Sequence, residues 1–212
     1  MKLENLTGEI ICKKIRSRCF EKIFFWILAI ILALLFIGYA IHGVVVEHSI
    51  AMPLFALLLG VGGCIWGIAE IRKSVKTLSD VPNCKLFRKY GSPESIAQTI
   101  AEGAGKSIVS CKQTLLTEQF ILKTKDFESF VPLESVLLLY KREHRTNGFL
   151  DSVSLVIHDE YGDQFEYPFK LAKKYQGEFN IAGDEIAKHS PNARFGYTKE
   201  NLKFVEQNEK KI

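Results

Sequence analysis

Apolar positions crowd into the first third of the chain and thin out afterwards. Two uncharged stretches, Ile23 to Val46 and Ser49 to Ala69, lie side by side there. Each exceeds the roughly 18 apolar residues of a membrane span. At about 1.5 Å per residue they reach about 36 and about 31 Å, against a hydrocarbon core of about 30 Å. Only Glu47 and His48 separate them. The pattern therefore predicts a helical hairpin, residues 23–71, that crosses a bilayer and returns. A cleaved signal peptide fits poorly, because the first run is longer than an h-region and no A-x-A-like site follows it.

Beyond a basic segment the periodicity changes. Ser92 is a natural N-cap, Pro93 suits the first helical position and Glu94 favours the positive end of a helix. That helix is expected to run to about Glu102, stopped by Gly103 and Gly105. From Ser107 to Phe169 the chain turns strand-like, with strands expected near 108–112, 115–123, 128–131 and 135–142. Val153, Leu155 and Ile157 alternate with polar residues, as do Phe165, Tyr167 and Phe169, and Glu160 to Asp163 supplies a turn between them. Period two of this kind marks half-buried antiparallel strands joined as a hairpin. The continuous run Val136 to Tyr140 predicts a strand covered on both faces, or one whose outer face meets a partner. Leu171, Tyr175, Phe179, Ala182 and Ile186 then form one helical stripe ended by Pro191. A last short helix starts at Thr198 as N-cap, with Tyr197 and Leu202 placed as a staple. Strands in a meander with a helix on the open end describe a small α+β roll.

Charge sets the expected topology. Lys2, Lys13, Lys14, Arg16, Arg18 and Lys22 precede the first span, and Arg72, Lys73, Lys76, Lys85, Arg88 and Lys89 follow the second. The turn between the spans has no Lys or Arg. Positive charge stays on the cytoplasmic side, so both termini are expected in the cytoplasm of an integral, plasma-membrane protein. Trp26 and Trp66 fall at the same interface, as aromatic belts do. The overall net charge is +4, yet from Tyr90 onward 16 Lys and Arg face 18 Asp and Glu, a net of −2. That balance argues against a nucleic-acid-binding domain, which would show a basic face. The expected organisation is a basic N-terminal segment (1–22), the hairpin (23–71), a basic juxtamembrane linker (72–91) and a cytoplasmic domain (92–212).

Candidate chemistry is sparse. Gly103-Ala-Gly105-Lys106-Ser107 lacks the first phosphate-loop glycine, since position 100 is Ile, and sits in helix-then-strand context instead of strand-then-helix. His158, Asp159, Glu160 and Asp163 cluster at a turn but depart from calcium-loop spacing, and His42, Glu47 and His48 offer too few ligands for a metal. The five cysteines form no C-x-x-C pair, so reduced thiols are expected, and nothing marks Cys111 as a nucleophile activated by His144 or His158. Neither span carries an internal acid or base that would serve an ion pathway. No catalytic residue, cofactor or metal is expected. Gly63 and Gly67 lie on one face of the second span and permit close helix packing, within the chain or in a dimer. Arg72, Lys73, Lys76, Lys141 and Arg142 are candidates for a partner or lipid surface, with anionic lipid attraction of about 1 kcal/mol per basic residue.

Four segments carry a resemblance: Tyr90-Gly-Ser-Pro-Glu-Ser-Ile96, Leu115-Leu-Thr-Glu-Gln-Phe120, Val131-Pro-Leu-Glu-Ser-Val136 and Arg194-Phe-Gly-Tyr197. Through them the chain resembles a family of uncharacterised bacterial membrane proteins with two N-terminal transmembrane helices. The order of its strands and final helix is similar to pleckstrin-homology-like domains. The resemblance implies an antiparallel β-roll with a C-terminal capping helix over most of residues 90–212, and no reaction. Where some such domains bind phosphoinositides, this chain offers only Lys123 and Lys125 beside Asp126. The functional expectation is a membrane-anchored interaction or scaffolding module, not an enzyme. Its partners are the bilayer and an unidentified protein, with self-association open. The alternative is an accessory subunit packed in a larger membrane complex through its second span.

Overall fold

A computed structural model describes residues 3–46, 51–110, 114–170 and 173–210. The chain divides into two compact units, one made of Cys12–Cys84 and the other of Met1–Ile11 with Lys85–Ile212.

The first unit is dominated by two long helices, α1 (Gly8–Val46) and α2 (Ala51–Ser79). Helix α1 starts well before the predicted span because the Thr7 side chain accepts a hydrogen bond from the Ile10 amide, at 3.3 Å, and satisfies a first-turn donor. Both helices are long and apolar enough to cross a membrane. Only 11% and 17% of their most apolar stretches are buried within the protein. The core helix of a water-soluble protein would bury most of that surface. Glu47 and His48 lie outside the described residues. Pro53 falls in the first turn of α2, where its missing amide donor breaks no hydrogen bond.

The second unit begins with α3 (Lys85–Tyr90) and α4 (Pro93–Ala104). Residues 72–91, read above as a linker, thus hold the end of α2, a 3-10 turn at Val81–Asn83, and α3. Ser92 caps α4 as expected, its hydroxyl accepting from the Ser95 amide at 3.2 Å. The helix ends at Ala104 with Gly105 as its C-cap, as expected, and Gly103 does not end it. Gly103 lies inside α4, where a Cβ would come within 2.7 Å of the Phe120 ring. The short turn at Leu3–Asn5 packs on α4, which fastens the extreme N-terminus to this unit.

Eight strands follow among the described residues. The first four, β1 (Val109–Ser110), β2 (Thr114–Leu116), β3 (Phe120–Lys123) and β4 (Asp126–Pro132), form one antiparallel sheet in chain order. The single strand expected over 115–123 is two. The Thr117 hydroxyl accepts from the Gln119 and Phe120 amides, and this local turn competes with extended backbone. The second sheet has the order β7-β6-β5-β8, from β5 (Val136–Thr146), β6 (Phe149–Asp159), β7 (Gln164–Lys170) and β8 (Arg194–Phe195). The all-antiparallel roll needs one correction here, because β8 runs parallel to β5. Helices α5 (Lys173–His189) and α6 (Lys199–Asn208) complete the fold, with Thr198 capping α6.

The main core packs Leu116, Ile121 and Val131 of the first sheet with Leu139, Leu155, Ile157, Tyr167 and Phe169 of the second, and with Ala182 and Ile186 of α5. Leu171 and the Tyr175 side chain, the first members of the predicted stripe, fall outside what is described. The Tyr167 hydroxyl crosses between sheets to the Ser129 carbonyl at 2.6 Å, so this fully buried phenol keeps a partner. Leu138, Tyr140 and Val156 point to the other side of the second sheet and are covered by Val205 of α6. This double burial accounts for the unbroken apolar run at the start of β5.

Candidate functional site

Three side-chain groups stand out, and the first joins distant parts of the chain. Lys89, on the last turn of α3, has a side chain only 2% exposed and meets a fully buried Asp159. Its Nζ lies 2.6 Å from Asp159 Oδ2 and 2.6 Å from Asp163 Oδ2. Asp159 closes β6, and Asp163 ends the turn into β7. Asp159 Oδ1 also accepts from the Tyr161 and Asp163 amides, at 3.0 and 2.7 Å, while Tyr90 OH donates to Oδ2 at 2.5 Å. Lys85 bonds the outer oxygen of Asp163. The ammonium of Lys89 also faces the ring of Tyr161, 5.0 Å from its centroid. Two lysines therefore balance two carboxylates, and each lone pair of Asp159 is used. Such satisfaction is what a buried ion pair requires.

The electrostatics follow from burial. Burial and the adjacent Asp159 charge push the Tyr90 phenol far above its usual range, so it remains a donor. Burial would raise Asp163, yet the hydrogen bonds from Lys85 and Lys89 outweigh it and hold its carboxyl below the usual value. The group ties α3 to the β6–β7 turn. It holds no free nucleophile, and every polar atom described above is spent on another. This is a mechanical joint in its chemistry.

The second group lies on the outer face of β5, β6 and β7. Arg142 Nη1 bonds Glu166 at 3.0 Å, and Nη2 donates to Tyr140 OH at 3.1 Å. His144 Nε2 meets both Glu166 Oε1, at 2.5 Å, and Ser154 Oγ, at 3.2 Å. A Ser-His-acid relay needs the serine and the acid on opposite ring nitrogens. Here both meet the same one, so the trio does not activate Ser154. Burial pushes Glu166 up, but bonds from Ser154 and His144 and the Arg142 charge leave it lowered. Tyr197 stacks on Tyr140 at 4.8 Å and is 64% exposed. His158, next to Tyr140, has a buried Nε2 without a hydrogen-bond partner, and burial lowers its pKa.

The residues singled out from sequence are distributed as follows. Lys141 and Arg142 are neighbours in sequence but point to opposite faces of β5, as alternation in a strand requires. Lys141 bonds Glu143 at 2.8 Å, and Arg145 bonds the other oxygen of that carboxylate at 2.9 Å. Together they hold Glu143 down to about 2. Arg72, Lys73 and Lys76 are exposed on the last turns of α2, with Lys73 paired to Glu70 at 2.6 Å. Gly63 and Gly67 both meet α1: a Cβ would lie 3.2 Å from Ala33 at the first and 2.7 Å from Ile30 at the second. Gly60 makes the same approach to Ile37, and Trp66 lies 6.0 Å from Trp26. Cys111 lies outside the described residues.

The sequence reading missed the Lys89 joint and the full length of the β5–β6 hairpin. Its turn is Asn147-Gly148, with φ of 50° and 84°, the two positive values of a type I′ turn. That dipeptide is the signal that would have found it.

No protein family, no curated protein and no solved structure matches the chain.

Proposed function

We propose that the chain is a membrane-anchored interaction or scaffolding module, with both termini in the cytoplasm and the domain of residues 92–212 held close to the bilayer. The observation that carries this reading is the pair of apolar helices whose side chains stay exposed in the protein itself, and so call for lipid around them. The basic residues flanking both spans support cytoplasmic termini. The antiparallel strands followed by packed helices support the pleckstrin-homology-like reading of the domain, and with it the likeness to bacterial membrane proteins.

The protein-docking surface in this reading is the exposed Tyr197, stacked on the buried Tyr140, with Arg142 beside that ring. Tyr and Arg at the centre of a partly apolar patch are the residue types that dominate protein interfaces. Tethering by two spans raises the effective concentration of that patch for membrane partners. Crosslinking of the full chain in native membranes, then mild-detergent purification and mass identification, tests it. A partner recovered at fixed stoichiometry, and lost on Tyr197→Ala with the fold intact, is the expected result. Recovery of the chain alone would sink the reading.

A second reading, an accessory subunit of a larger membrane complex, draws on the other face of α2. Leu58 and Ile65 are exposed there and Gly62 meets nothing within 4 Å. Gly62→Leu separates the two readings. Loss of assembly with the soluble domain intact would favour the subunit, because Gly63 and Gly67 are already occupied by α1.

A further inference from the structure

Helices α1 and α2 both continue past their apolar stretches at the end of the pair where Gly67 meets Ile30 and Trp66 lies 6.0 Å from Trp26. Residues 12–22 and 70–84, which make up these continuations and the turn after α2, carry eight Lys and Arg against three Asp and Glu. Part of this charge is spent within the protein. Lys73 is paired to Glu70, and Asp80 accepts from the Asn83 amide group. Arg72 and Lys76 are exposed and have no hydrogen-bond or ion-pair partner among the described residues. Spaced i, i+4, they share one face of α2, with Cβ atoms about 5–6 Å apart. Ile68 and Ile65, 45% and 66% exposed, lie one and two turns before Arg72 on that face. Arg72 is about 4.5 Å and Lys76 about 10.5 Å past Ala69, at about 1.5 Å per residue. The polar layer of a bilayer is about 5–7 Å deep on each side. Side chains on a helix lean toward its N-terminus. On α2 that direction leads back to the apolar stretch, so Lys76 leans toward the depth of Arg72. On α1 it leads the other way, and Lys13 and Lys14 lean away from the apolar stretch.

We propose that Arg72 and Lys76 form a binding site for an anionic phospholipid, the two cations holding its phosphate while an acyl chain lies along Ile68 and Ile65. The inference rests on the membrane-anchored reading above and names a ligand for it. A guanidinium presents a planar fork of donors to phosphate oxygens, and a lysine ammonium beside it adds a point charge. A zwitterionic lipid brings its own cation to the phosphate and gains less from both, so the site discriminates by headgroup charge. The apolar strip and the two cations follow one another along a single helix face, in the order of tail and headgroup. The site lies wholly within the unit Cys12–Cys84, so α2 alone sets its depth in the bilayer.

The test is native mass spectrometry of the full chain from mild-detergent micelles that hold equal amounts of phosphatidylcholine and phosphatidylglycerol. Wild type is expected to retain phosphatidylglycerol in excess. Arg72→Gln combined with Lys76→Gln should lower that excess about 25-fold, from about fivefold for each basic residue at such a surface. Lys13→Gln combined with Lys14→Gln removes the same charge from α1 and should leave the excess unchanged. Equal retention of the two lipids by wild type, or an equal loss in both double variants, would overturn the proposal. Displacement of the bound lipid by inorganic phosphate would overturn it too, because the acyl chain would then contribute nothing. Alkaline carbonate extraction of native membranes separates this site from the reading on which it rests. A chain that stays in the membrane but shows no lipid preference refutes the site alone, and a chain that washes off refutes the spans.

Discussion

Replacing Lys89 with Met is the sharpest perturbation of the joint between α3 and the β6–β7 turn. Methionine keeps most of the stem and removes the ammonium that sits 2.6 Å from both Asp159 and Asp163. Asp159 is fully buried, so its charge would lose its only lysine and could not recover it from water. Breaking one side of such a pair costs about 3–5 kcal/mol, much more than the net worth of the pair against an apolar replacement. In a domain of this size 1 kcal/mol moves Tm by about 3–5 °C, so the variant should melt about 10 °C or more below wild type. Adding Asp159→Asn should recover part of the loss. The neutral amide oxygen can still accept from the Tyr161 and Asp163 amides and no longer needs a cation. The assay is thermal unfolding of the full chain in nanodiscs, read by the strand signal in far-ultraviolet circular dichroism. Hydrogen exchange across residues 159–163 then localises the effect. A Lys89→Met variant within about 1 kcal/mol of wild type, or a double variant no better than the single one, would refute the ionic account of the joint.

Acid should weaken the same joint through Asp163. Its folded pKa lies below the usual value, so its contribution is complete above the unfolded pKa and is lost as pH falls through the folded one. Asp163→Asn should flatten the Tm profile below about pH 4, where wild type falls. His158 works at milder pH. Burial lowers its folded pKa, opposed by Asp159 and Glu209 and aided by Arg142, so stability present above about pH 6.5 declines below it. His158→Gln should remove that slope in melts between pH 7 and pH 5. Gly67→Leu should loosen α1 against α2 by about 1–3 kcal/mol, because its side chain would meet Ile30. Loss of the coupled Trp26–Trp66 signal in near-ultraviolet circular dichroism would report it, and an unchanged signal would contradict the packing. Ser92→Ala should cost about 1 kcal/mol through the lost cap of α4, read in the same thermal melts.

Much of this protein was legible residue by residue. The two long apolar helices follow from uninterrupted apolar length. The caps at Ser92 and Thr198 follow from side-chain oxygens placed before helical runs, and β6 and β7 from strict alternation. All of these depend on neighbours in sequence, which is why they survive without tertiary context. Asn147-Gly148 belongs with them, since positive φ at both positions is a local property of the turn. What local pattern could not supply is any pairing across the chain. Lys89 reads as one more cation in a basic stretch, and Asp159 as one acid in a solvated turn. They are 70 residues apart, and only the packing of α3 against the domain puts both out of water and makes each the other's partner. The parallel strand β8 is two residues long, too short to show a period, and exists because β5 leaves an edge beside it. Lys141 and Arg142 share a charge and a place in sequence, yet the pleat of β5 sends one to Glu143 and the other to Glu166. The sequence by itself determined a helical hairpin and the period of each long strand, because these reflect the solvent each residue must face. The tertiary structure alone decided which charges are buried together and which aromatic residues remain outside, because those depend on where distant segments close over one another.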